Sequence, residues 1–154
     1  MSLQKLNLAI NNLELHIENH NIANLKISKG NIAWHIDHSL KVINNVIIAL
    51  QKSDPTVYKK NFSFLGKVFF TLGFFPRGKA KAPKHVKPPE VILKEDLIIQ
   101  MQQAKTNIET LSSINKHAYF EHPLFGNVNT KRVPLFLTLH TNHHLKIIND
   151  MMLK

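Results

Sequence analysis

A chain of 154 residues, 44% hydrophobic and 19% charged, is long enough to bury one core and too apolar to be a disordered segment. With no cysteine it can form no disulfide, thiolate-ligated zinc site, iron–sulfur cluster or cysteine nucleophile. Twenty Lys and Arg against ten Asp and Glu give a net charge of +10, which favours anionic partners, and ten histidines are an unusual number.

Met1-Ser2-Leu3-Gln4-Lys5 lacks the basic and apolar regions of a secretory signal. Leu3, Leu6, Ile10, Leu13 and Ile17 then alternate steps of three and four residues, which predicts an amphipathic helix. A short link, 21–29, leads to a second helix from about Gly30 to Ser53. Its apolar face carries Ile32, Ile36, Leu40, Ile43, Ile47 and Leu50, with Asp37, Lys41, Asn44 and Asn45 facing outward. Asp54-Pro55 ends it, because the residue before proline is pushed out of helical angles. The excursion from Asp54 to Pro89 includes a short aromatic helix over Phe64 to Leu72. Phe62, Phe64, Phe69, Phe70, Phe74 and Phe75 are expected to lie over the other helices as a lid, or to form one apolar wall of a pocket.

A third helix follows Pro88-Pro89, with Leu97, Met101, Ala104, Ile108 and Leu111 on its inner stripe. The connection 115–129 lacks an Asn-Gly hairpin signal. A fourth helix runs from near Thr130 to the end, and Pro134 is tolerated because it falls in the first turn. No run of about 18 apolar residues exists, so no membrane span and a cytoplasmic location are expected. These elements predict one all-α domain over 1–154, a four-helix bundle with a long crossover between helices 2 and 3.

At about 100° per residue, His140 and His144 fall within about 20° of the centre of the last helix's apolar stripe. Side chains at i and i+4 point the same way, so both imidazoles can converge on one ion. On the second helix His35 and Ser39 fall inside the apolar arc, whereas His38 lies about 120° from its centre, on the boundary. His35 is therefore the third ligand of choice, with His38 placed to act nearby as acid, base or orienting group. Three imidazoles without cysteine make an open site of the kind that leaves a position for water or substrate. The competing reading is that each histidine on an apolar face is a satisfied core residue. Trp34, toward the polar edge, is expected to pack on the crossover.

Arg77, Lys79, Lys81, Lys84 and Lys87 lie in a Pro- and Gly-punctuated stretch with no acid. That stretch is either a solvated loop or a nucleic-acid contact, or else Arg77 sits at the pocket mouth and binds an anionic ligand. No base-reading motif accompanies the charges, which favours Arg77 over nucleic acid.

Ser28-Lys29-Gly30-Asn31-Ile32-Ala33-Trp34-His35-Ile36 resembles the second-helix signature of DinB/YfiT-like proteins. His140-Thr141-Asn142-His143-His144-Leu145-Lys146-Ile147-Ile148 is similar to that superfamily's last-helix HxxxH signature. His122-Pro123-Leu124-Phe125-Gly126 and Phe75-Pro76-Arg77-Gly78-Lys79 resemble one DinB-like family of uncharacterised function. The resemblance implies a four-helix bundle holding a divalent metal, zinc or nickel, with His35, His140 and His144. It also implies a low-molecular-weight-thiol-dependent transferase as one activity. A metal-dependent hydrolase and a non-enzymatic metal-containing stress or interaction module are the alternatives. Candidate catalytic residues are His38 and His122, the latter equally readable as a brace of its Phe-Glu-His-Pro turn, and Arg77 is the candidate for binding a cofactor. Phe125-Gly126 is expected to fix a turn and pack beneath the site. The partner expected is an anionic small molecule, with a homodimer also open and no membrane or nucleic acid.

Overall fold

The computed structural model describes residues 2–77, 86 and 88–153. It is mostly helical, with five helices and one small two-stranded sheet among the described residues. The elements are α1 (Ser2–Glu14), α2 (Ile32–Lys52), α3 (Phe64–Leu72), α4 (Lys94–Thr110), β1 (Tyr119–His122), β2 (Gly126–Asn129) and α5 (Val133–Met152). No helix of the described residues is long and apolar enough to cross a membrane.

The apolar stripes account for the packing. Leu6, Ile10 and Leu13 of α1 are buried, as are all six stripe residues of α2 and the five from Leu97 to Leu111 on and just beyond α4. Their removal from water drives the association of α1 with α5 and of α2 with both α4 and α5. Local chemistry sets the ends. The Asn31 side chain caps α2 by accepting from the Trp34 amide at 2.9 Å, and Ser63 caps α3 by accepting from Gly66 at 3.0 Å. Pro134 falls in the first turn of α5, where its missing N–H costs no helical bond.

Two expectations about polar faces need correction. Asp37 is buried, not outward: its carboxylate accepts from Gln100 Nε2 at 2.8 Å and pairs with Lys41 at 2.6 Å. Asn44 likewise joins Asn107 at 2.9 Å across the α2–α4 seam. A central helix with neighbours on two sides buries more than one stripe, and thirteen of the 21 residues of α2 are buried. On α5, Thr138 is buried, and its hydroxyl is satisfied by donating to the Pro134 carbonyl at 2.7 Å.

The connection 115–129 also differs from a plain loop, since it holds β1 and β2 as an antiparallel hairpin, from Tyr119 opposite Asn129 to His122 opposite Gly126. Its turn relies on Gly126 at φ +71° rather than on an Asn-Gly pair. The hairpin ties down the crossover: Asn61 Oδ1 accepts from the Asn127 amide at 2.8 Å, and the Ser63 amide donates to the Phe125 carbonyl at 2.9 Å. A Cβ on Gly126 would lie 2.5 Å from the Asn61 carbonyl oxygen. Gly126→Ala is therefore expected to destabilise the protein by about 2 kcal/mol or more, combining left-handed strain with overpacking. Denaturant unfolding checks this, and an unchanged midpoint would contradict the turn assignment.

The aromatic group divides. Phe62, Phe69, Phe70 and Phe75 pack with Phe125 against the core, whereas Phe64 and Phe74 point outward.

Candidate metal centre

α5 brings His140 and His144 one turn apart, and α2 presents His38 across from them. One donor nitrogen from each of these three rings lies within 4.8 Å of the others. Ring centroids are 4.7 Å apart for His140 and His144, 4.9 Å for His38 and His144, and 5.1 Å for His38 and His140. His38 and His144 are buried and His140 is half-buried.

The expected set had His35 in place of His38. His35 is buried beside the cluster, and both of its nitrogens have partners. Its Nε2 lies 2.8 Å from Ser28 Oγ, and its Nδ1 lies 2.9 Å from His144 Nδ1. His38 reaches the cluster because α2 is covered on the face that one-stripe geometry assigns to the boundary.

Hydrogen bonds fix which nitrogens are free. His38 Nδ1–H donates to the Val86 carbonyl at 2.8 Å, so its lone pair sits on Nε2. His144 Nδ1 is occupied by His35, which leaves Nε2 for another partner. His140 Nδ1 is buried and has no hydrogen-bond partner among the described residues. A buried polar atom left unpaired costs about 1–3 kcal/mol, and a ligand is one remedy.

The electrostatics keep the rings neutral. Burial, followed by the neighbouring imidazoles, holds His140 and His144 well below the ordinary histidine range. His35 is lowered to about 4, by burial first and then by His38, His143 and Arg77. His38 is lowered as well, because burial outweighs the Val86 carbonyl and Asp37, which raise it. Neutral imidazoles carrying lone pairs are the state that metal coordination requires.

Two aromatic rings close the cluster. Trp34 stacks on His38 at 5.2 Å and 21° and meets His35 edge-on at 5.1 Å. Gly30 makes room for the indole, since a Cβ there would lie 2.8 Å from Trp34 Cγ. The i, i+4 spacing of Trp34 and His38 was the available signal for this contact. On the other side Phe136 stacks on His140 at 6.1 Å and 29°.

His122 braces the hairpin turn. Its Nδ1 accepts from the Leu124 amide at 3.1 Å, its ring stacks on Phe125 at 4.2 Å, and burial lowers it to about 4. Phe125 continues the aromatic contact to Phe136 beneath the cluster. Arg77 pairs with Asp150 of α5 at 2.5 Å, and its charge is near enough to lower His35 and His143. His143 Nδ1–H donates to the Phe75 carbonyl at 3.0 Å and holds the crossover on α5. Lys79, Lys81, Lys84 and Lys87 lie outside the described residues.

A surface groove of about 290 Å³ between α2 and α4 is lined by Asp37, Lys41, Asp96 and Gln100, with none of the three histidines in its lining. Donor convergence, not open volume, marks the chemical site. No protein-family model, curated protein or solved structure matches the chain, so the candidate site rests on the geometry of these residues.

Proposed function

We propose that this chain is a DinB-like four-helix bundle that binds one divalent ion, zinc or nickel, through His38, His140 and His144, and acts as a metal-dependent enzyme. The observation carrying this reading is the convergence of three imidazoles, one ring nitrogen from each within 4.8 Å of the others, with burial lowering the pKa of all three. Three nitrogen ligands suit zinc or nickel and leave a coordination position for a further ligand.

When bound, the ion supplies Lewis acidity that lowers the pKa of a coordinated thiol or water. The chain's own residues do the rest. His38 is oriented by the Val86 carbonyl, while Trp34 stacks on His38 and Phe136 on His140. Arg77 places a positive charge near the cluster, which suits an anionic co-substrate. The chain has no cysteine, so a thiol nucleophile must be supplied by a low-molecular-weight thiol. The DinB/YfiT-like resemblance supports thiol-dependent transfer as the reaction class, with hydrolysis by a bound water as its neighbour. The burial of His38 and His144 favours a second reading, a non-enzymatic metal-containing module.

Purified protein is expected to carry about one divalent ion per chain, and the triple variant His38→Ala/His140→Ala/His144→Ala none. Stoichiometric metal in the triple variant would overturn the assignment. Turnover with a thiol and an electrophile selects the transferase, whereas bound metal without turnover selects the module.

A further inference from the structure

Behind His144 runs a chain of contacts that leaves the cluster and ends near the surface. His144 Nδ1 lies 2.9 Å from His35 Nδ1, and His35 Nε2 lies 2.8 Å from Ser28 Oγ. Ser28 Oγ also accepts from the Gly30 amide at 3.1 Å. We propose that Ser28 and His35 are positioning residues that set the tautomer and ring orientation of His144 for metal binding. This inference rests on the metal reading given above.

If His144 ligates through Nε2, its contacts leave one proton arrangement. A neutral His144 that ligates through Nε2 carries its proton on Nδ1, which faces His35. Two neutral rings at 2.9 Å share a single proton between those nitrogens, so His35 Nδ1 is the acceptor. The proton of His35 is then on Nε2 and donates to Ser28 Oγ. A hydroxyl oxygen has two lone pairs, and the two donors, Gly30 N–H and His35 Nε2–H, fill both. The opposite arrangement would put a proton on His144 Nε2 and remove the ligand. His38 obtains the same result in one step from the Val86 carbonyl, which can only accept. A ligating histidine whose second nitrogen donates to a fixed acceptor is held in tautomer and direction, and losing that acceptor costs about 10–100-fold in affinity.

The loop geometry serves this chain. Ser28 closes a turn in which its amide donates to the Asn24 carbonyl at 3.0 Å. The Ile32 amide donates to the Ile22 carbonyl at 2.9 Å, which docks the loop against the first turn of α2, where His35 projects. Ser28 is half-buried and lies outside the helices, so its hydroxyl can be removed with little cost to the core.

The test measures zinc affinity by competition with a chromophoric chelator. Ser28→Ala is expected to weaken zinc about 10–100-fold, and Ser28→Thr, which keeps the hydroxyl, to restore it. His35→Phe is expected to lose at least as much, and if it fails to fold the Ser28 pair decides. Long-range 1H–15N NMR of the zinc-loaded protein is expected to place the His35 proton on Nε2 and the His144 proton on Nδ1. The cobalt-substituted Ser28→Ala protein is expected to show an altered visible spectrum, which a merely structural role would not produce. Wild-type zinc affinity in Ser28→Ala, or a His144 proton on Nε2, would overturn the relay while leaving the metal site standing. A wild-type chain that takes up no zinc would overturn both.

Discussion

His38→Ala, His140→Ala and His144→Ala are each expected to lower zinc affinity by more than about 100-fold, beyond the range for losing an outer partner. His35→Ala is expected to stay within that range, at about 10–100-fold. The ranking follows from which nitrogens are free. One ring nitrogen from each of His38, His140 and His144 lies within 4.8 Å of the others, whereas His35 has Ser28 on one nitrogen and His144 on the other. Chelator competition on the four single variants measures it directly. Equal losses at His35 and His38 would mean that four imidazoles share the ion. A larger loss at His35 than at His38 would reinstate the ligand set expected from helical periodicity.

Stability of the metal-free protein is expected to be flat above about pH 6.5 and to fall as the pH drops from there toward 4. In the unfolded chain each histidine takes up a proton near 6.5, while burial holds His35 at about 4 and His140 and His144 well below 6.5 in the folded protein. Between those values the unfolded state binds more protons, so stability rises with pH across the window and is lost on acidification. His35 alone, almost fully buried, contributes on the order of 3 kcal/mol. Thermal melts of the metal-free protein between pH 4 and 8 test this. A melting temperature that does not change across the window would mean that the three rings are solvated and the buried cluster does not form.

Much of the architecture could be read from the order of the residues. The stripe Leu97, Met101, Ala104, Ile108 and Leu111 is buried throughout, and the short aromatic helix occupies Phe64–Leu72 as expected. Hydrophobic period, capping residues and proline positions are local properties, and each acts within a turn or two of itself. The convergence of His140 and His144 was legible for the same reason, since an i, i+4 pair on one face needs no other element. The hairpin was not legible, because its turn depends on the left-handed Gly126 and on Asn61, which is remote in the chain and packs against it.

What only the tertiary structure shows is that His38 joins His140 and His144 in one cluster of donor nitrogens. A helical wheel assigns one buried face to each helix, and on that basis His35 points inward and His38 sits at the edge. α2 is instead flanked by both α4 and α5, which buries Asp37 and His38 together with the apolar stripe. The partners that then separate the two histidines lie far away in the chain: Val86 behind His38, and His144 against His35 across 109 positions. Periodicity determines which residues leave water. Which nitrogen keeps a free lone pair depends on contacts between distant elements, and those exist only once the helices are packed.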